Sequence, residues 1–199
     1  MNEQLRIFAG LQGFVSAAGL LALILFFTLA TPFGTEQRRW AWLGPVNDWL
    51  YILGAAPWII ASVLLVMRVR GGALLWTLTV VLCVLIAAGA IVTALMLAGK
   101  VGLNVQVLVA TPMTVMGFIW LWPAAAAVVH AAAVPRWFLL LSIIALLAFI
   151  VGGALVGGTF LLPADSGMRM MLFIVGGIPV ALAMAAFPAW WIILAANVR

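Results

Sequence analysis

Six apolar stretches, each long enough to cross about 30 Å of hydrocarbon, fill most of the chain at roughly residues 7–30, 46–67, 72–98, 103–130, 136–162 and 168–195. A bilayer offers no water to peptide groups, so such stretches are restricted to helices that satisfy their own backbone. The expected fold class is all-α: a polytopic transmembrane six-helix bundle forming a single integral membrane domain over residues 1–199. Charged residues make up 7% of the chain, against about 25% in an ordinary soluble domain. That is too few to solvate a surface, and the short connections leave no room for a soluble domain. Arg6 followed by the 7–30 run, ending Thr28-Leu29-Ala30, has the outline of a signal peptide. The run far exceeds an h-region of about 7–15 residues, and is expected to be the first transmembrane helix.

The connections carry the charges. Thr31 to Gly44 is the longest and holds Glu36, Arg38 and Arg39; Arg68 to Gly72 is a tight turn; Gly99 to Gly102 contains Lys100; Pro135-Arg136 ends the fourth span; Pro163 to Gly167 holds Asp165. Arg6, Arg68, Arg70, Arg136 and Arg199 therefore fall on one side, and Arg38, Arg39, Lys100 and Arg169 on the other. The five-to-four excess is read by the positive-inside rule as cytoplasmic N- and C-termini. Lysine occurs once, while Arg, Ala and Leu are abundant, a bias of high-GC bacteria, so the expected location is a bacterial inner (plasma) membrane. The net charge of +5 comes from scattered basic residues and forms no patch, which argues against a nucleic-acid partner.

Arg6, Arg70, Arg136 and Arg199 are spaced by 64, 66 and 63 residues. Each interval holds one helix out, a connection and one helix back, suggesting three parallel helical hairpins over approximately 6–70, 70–136 and 136–199. Six equal helices with short loops produce a similar period without any repetition, so both origins stay open. The returning helices each open near a glycine (Gly44, Gly102, Gly167) and carry an interior proline (Pro57, Pro112, Pro179), with a second at Pro123 and Pro188 in the last two. An interior proline kinks a helix and frees a carbonyl that must find a partner inside the membrane. These proline-kinked helices are expected to face protein, with the first, third and fifth helices outside them.

Tryptophans prefer the headgroup level. Trp40, Trp42 and Trp49 fit an outer belt and Trp76, Trp137, Trp190 and Trp191 an inner one, whereas Trp58, Trp120 and Trp122 fall deeper. A deep indole N–H needs an acceptor; these rings either line a cavity for an apolar ligand or simply pack. Gly153 and Gly157 form a GxxxG pair that lets backbones approach closely. Its partner is either another helix of the chain or a separate membrane protein, including a second copy.

Chemistry is sparse. Ionisable residues inside a membrane suggest function, yet within the spans only Asp48 and His130 qualify, both near an end. Pro45 and Asp48 suit the first turn of the second helix, where an acid complements the helix dipole. Alternatively, Asn47 and Asp48 meet Asn104 and Gln106 in an outward polar site. A single histidine assembles neither a zinc site nor a catalytic triad, and the lone Cys83 forms no intrachain disulfide; neither cofactor nor metal is expected. Gln12 is costly in lipid and is expected to face another helix. The leading expectation is a non-catalytic membrane protein, either an accessory subunit or a binder of an apolar ligand or membrane lipid through Trp58, Trp120 and Trp122. The alternative is a small transporter or facilitator for a neutral solute using Asn47, Asp48, Asn104 and Gln106. An enzyme ranks third.

Overall fold

A computed structural model describes residues 2–30, 38–163 and 166–198. Glu36, Asp165 and Arg199, to which the sequence assigns loop or terminal charges, lie outside the described residues, as do residues 31–37 of the long connection. Six helices among the described residues are long and apolar enough to cross a membrane: α1 (Asn2–Leu25, continued as a π-turn Phe26–Ala30), α2 (Leu43–Arg68), α3 (Ala73–Leu97), α4 (Leu103–His130), α5 (Trp137–Gly158) and α6 (Gly167–Asn197). The protein is an all-α, multi-pass membrane protein. Each helix packs on its neighbours in sequence, and α6 returns to α1 to close a ring.

The turns follow from local chemistry. Gly72 and Gly102 stand in extended conformation before α3 and α4, suiting residues that precede the first helical turn. Helices α2, α3 and α4 end alike. The N–H of Arg70, Gly99 and Ala132 donates to the carbonyl of Met67, Met96 and Val129, and the next N–H donates to Val66, Leu95 and Val128. This paired return, with a left-handed residue between, satisfies orphan carbonyls. The left-handed positions are Arg70 (φ 50°), Gly99 (φ 70°) and Ala132 (φ 52°). Only the second has the residue that adopts this conformation without cost.

Burial is densest toward the end that carries both termini. There Leu5 and Ala9, Ala61, Leu65 and Val66, Leu82, Trp120, Leu121, Ala124, Ala125 and Val128, Phe138, and Trp190, Trp191 and Leu194 form one continuous core. The centre of the ring is aromatic. Trp58 of α2 and Phe118 of α4 both meet Phe187 of α6, at centroid distances of 5.0 and 6.0 Å. Trp120 stacks on Trp191 at 5.8 Å and meets Trp190 edge-on at 5.9 Å. Thus α2, α4 and α6, the helices with interior prolines, touch across the ring, while α1, α3 and α5 fill the grooves between them.

Two sequence expectations change here. Trp190 and Trp191 are completely buried and do not belong to a headgroup belt: α6 continues to Asn197, which draws both indoles into the packed half of the bundle. The close backbone approach between α5 and α6 is made by Gly152 and Gly176, where an added Cβ would sit 2.6 and 2.9 Å from the opposing carbonyl oxygen. Gly153 and Gly157 point away from the bundle, with nothing within 4 Å of an added Cβ.

Two of the four buried indoles among the described residues are satisfied in a repeated way, whereas Trp58 and Trp191 Nε1–H have no partner there. Trp120 Nε1–H donates to Thr79 Oγ1 of α3, and Trp190 Nε1–H donates to Ser142 Oγ of α5, both at 2.8 Å. Each hydroxyl in turn donates to the carbonyl one turn back, Leu75 or Phe138. The acceptors are thus hydroxyls of the preceding helix, not proline-freed carbonyls. Thr79→Val keeps the shape and strands the Trp120 donor. It is expected to cost about 1–2 kcal/mol, read as a shift in the unfolding midpoint of purified protein in mixed micelles.

Candidate functional site

The first hairpin departs from that pattern. Trp58 is 6% exposed, and its Nε1–H has no hydrogen-bond partner among the described residues. On α1, Gln12 is 2% exposed; its Nε2 donates to Ser16 Oγ at 2.9 Å, while its Oε1 has no partner among the described residues. The first hairpin thus lacks the indole–hydroxyl pair that the other two complete, although the buried Ser62 Oγ, Thr93 Oγ1 and Trp191 Nε1 also have no partner among the described residues. Unsatisfied polar atoms are costly inside a membrane.

Gln12 and Trp58 line one cavity of about 180 Å³. Its α1 wall is Gln12, Val15, Ser16, Gly19, Leu20 and Leu23; its α2 wall is Asn47, Leu50, Tyr51, Gly54 and Trp58; Met184, Phe187 and Pro188 of α6 close it. The periodicity explains the walls. Gln12, Ser16, Gly19 and Leu23 recur at helical spacing on α1, as do Asn47, Tyr51, Gly54 and Trp58 on α2, so each set shares one face. Gly54 keeps the two faces close: a Cβ there would lie 3.1 Å from Val15 Cγ1 and 3.4 Å from Gln12 Oε1. Toward α6, Gly13 packs so tightly that an added Cβ would meet Ile192 Cγ1 at 2.6 Å. Below this second contact the helices are sealed; above it they part.

Tyr51 braces the site from behind. Its hydroxyl lies 2.7 Å from Met113 Sδ and 3.3 Å from the Ile86 carbonyl oxygen, linking α2 to α3 and α4. Gly89 is required at that junction, since a Cβ would overlap the Tyr51 hydroxyl. These contacts hold the α2 wall in place independently of whatever occupies the cavity.

Of the residues singled out in the sequence, Asn47 and Trp58 line this cavity. Asp48 is half-buried and stands beyond the first turn of a helix that begins at Leu43, with no acid in that turn, so the dipole account loses force. Asn104 is exposed and Gln106 half-buried at the start of α4, and neither lines the cavity. Trp120 is fully buried in the core, while Trp122 is 52% exposed on the outer surface. Gln12, Ser16 and Tyr51 are the site residues that sequence reasoning did not group with Trp58. The available signal was that Gln12 and Ser16 stand one turn apart in an otherwise apolar helix. No group of three or more His, Cys, Asp or Glu among the described residues is placed to hold a metal ion.

Comparison with known proteins found no family model, curated protein or solved structure that matches the chain.

Proposed function

We propose that this is a non-catalytic membrane protein that binds an apolar, membrane-dissolved molecule in the groove between α1, α2 and α6. The observation that carries this reading is the cavity itself: about 180 Å³, walled chiefly by Val15, Leu20, Leu23, Leu50, Trp58 and Phe187, with no titratable side chain but Tyr51. Ligand sites are typically apolar concavities with a few polar groups that set orientation. A residual pocket of this kind in a helix ring has the size for a ring or short chain, since an engineered cavity of about 150 Å³ already accepts benzene. The reading places the protein in a bacterial inner membrane with cytoplasmic termini, supported by the arginines at the termini, the α2–α3 turn and the α4–α5 turn.

Gly19 provides the test. A Cβ there meets Asn47 Oδ1 at 3.5 Å and Leu50 Cβ at 3.8 Å, ordinary contacts, so a longer side chain enters the cavity without displacing backbone. Lipid extracts of wild type and Gly19→Leu, purified in parallel from native membranes, are compared by mass spectrometry. The expected result is a membrane-soluble species that accompanies wild type in stoichiometric amount and is lost from the variant. Identical extracts would count against the proposal.

A further inference from the structure

We infer that the groove holds one extended acyl chain of a phospholipid from the leaflet opposite the termini, entering sideways between α1 and α6. The inference rests on the ligand-binding reading above and adds the class of occupant and its route. The lining runs from Gln12 to Leu23 on α1 and from Trp58 back to Asn47 on α2. At 1.5 Å per residue, either wall is about 16 Å long. Trp58 stands just past the middle of α2, and Asn47 lies one turn inside its first residue, Leu43. The groove therefore reaches from near the bilayer midplane almost to the surface, close to the depth of one leaflet, about 15 Å.

The third wall, from α6, extends outward only as far as Met184. Deeper in the membrane the α6 face toward α1 is packed: Pro188 is buried, and Ile192 and Ala195 lie against Gly13 and Gly10. Ala181, Gly177 and Ile174 continue that face outward at helical spacing. There Ala181 is exposed, Ile174 is 56% exposed, and nothing lies within 4 Å of a Cβ added to Gly177. Beyond Met184, α6 has left α1, and the mouth of the groove opens sideways to lipid. Shape and charge narrow the occupant. A cavity of about 180 Å³ drawn out over about 16 Å is a slot for one linear chain, and a compact ring fills only part of it. No Lys, Arg or His lines the groove, so nothing there holds the carboxylate of a free fatty acid. A phospholipid leaves its charged headgroup in the interface and inserts the chain alone. At the deep end, Phe187 edge-on to Trp58 and the Gly13–Ile192 contact stop the terminal methyl.

Photolabelling in lipid nanodiscs tests this. Phosphatidylethanolamine carries a diazirine either near the carboxyl end of one acyl chain or at its terminal carbon, and adducts are mapped by mass spectrometry of peptides. The expected result is that the first probe labels Leu23 and Leu50 and the second labels Trp58 and Phe187. Both sets should be lost in Gly19→Leu, while adducts on the lipid-facing Leu147 of α5 persist and show that the variant is folded. The order of depths in wild type decides the proposal even where that variant fails to fold. A reversed order would overturn the assigned leaflet and route. Labelling of the groove by the same diazirine chain as a free fatty acid, and not by the phospholipid, would overturn the phospholipid assignment. Phenyldiazirine labelling Trp58 and Phe187 with no adduct there from either chain would overturn the linear occupant while leaving the apolar site intact. Absence of groove adducts from every probe would overturn both readings.

Discussion

Replacing Gly152 by leucine is expected to destabilise the bundle by about 3 kcal/mol or more, whereas the same substitution at Gly153 should shift stability by less than about 0.5 kcal/mol. The two residues are adjacent and chemically identical, but they point about 100° apart around the helix. A Cβ on Gly152 would lie 2.6 Å from the Gly176 carbonyl oxygen and 2.9 Å from the Val180 nitrogen. Neither is the end of a flexible side chain, so α5 and α6 must separate to admit it. The contact is reciprocal, because a Cβ on Gly176 would sit 2.9 Å from the Gly152 oxygen and 2.7 Å from Leu155 Cβ. Helices in lipid associate through close packing more than through exclusion of water, so separating them forfeits most of what holds this pair. Unfolding in mixed micelles followed by tryptophan fluorescence measures both variants. Equal losses would mean that α5 does not present Gly152 to α6. Gly153→Leu also serves a second purpose, since a change in its oligomeric state by cross-linking in membranes would identify the exposed Gly153–Gly157 face as a contact with another protein.

That pair of glycines also shows where sequence reasoning stops. The spans were readable because length and apolarity report directly on the bilayer, and each predicted stretch coincides with a helix to within a few residues. Which face of each helix turns inward was not readable. In a soluble bundle the buried stripe is marked by polar residues opposite it; here lipid and core are both apolar, so that mark is missing. Gly152-Gly153 followed by Gly157-Gly158 offers adjacent registers about 100° apart, and only the neighbouring helix chooses between them. The same ambiguity let Trp190 and Trp191 pass for interfacial residues, and grouped Trp122 with Trp120. Trp58 and Asn47, which line the cavity, stood out in the sequence because each is unusual for its position. The place of Gln12 in the wall of the same cavity was not legible, since it depends on Gly54, some forty residues later in the chain, leaving room for a side chain from α1.

Trp120→Ala is expected to cost about 2–4 kcal/mol and Trp122→Ala less than about 0.5 kcal/mol. Trp120 is fully buried, stacked on Trp191, edge-on to Trp190 and hydrogen-bonded to Thr79; Trp122 is more than half exposed on the outer face. In water, truncating a buried aromatic residue typically costs about 3–5 kcal/mol, combining transfer and cavity terms. In a bilayer the unfolded reference is itself apolar, so the transfer part shrinks and the cavity, with its lost dispersion contacts, dominates. That places the loss somewhat below the aqueous range, yet well above that of any surface change. Trp120→Phe separates the contributions, because it keeps most of the packing and removes the bond to Thr79. It should resemble Thr79→Val, and the double variant should cost less than the sum of the two single ones, since both delete the same interaction. Full additivity would mean that the 2.8 Å contact between Trp120 and Thr79 contributes nothing, and the central aromatic cluster would then be held by ring packing alone.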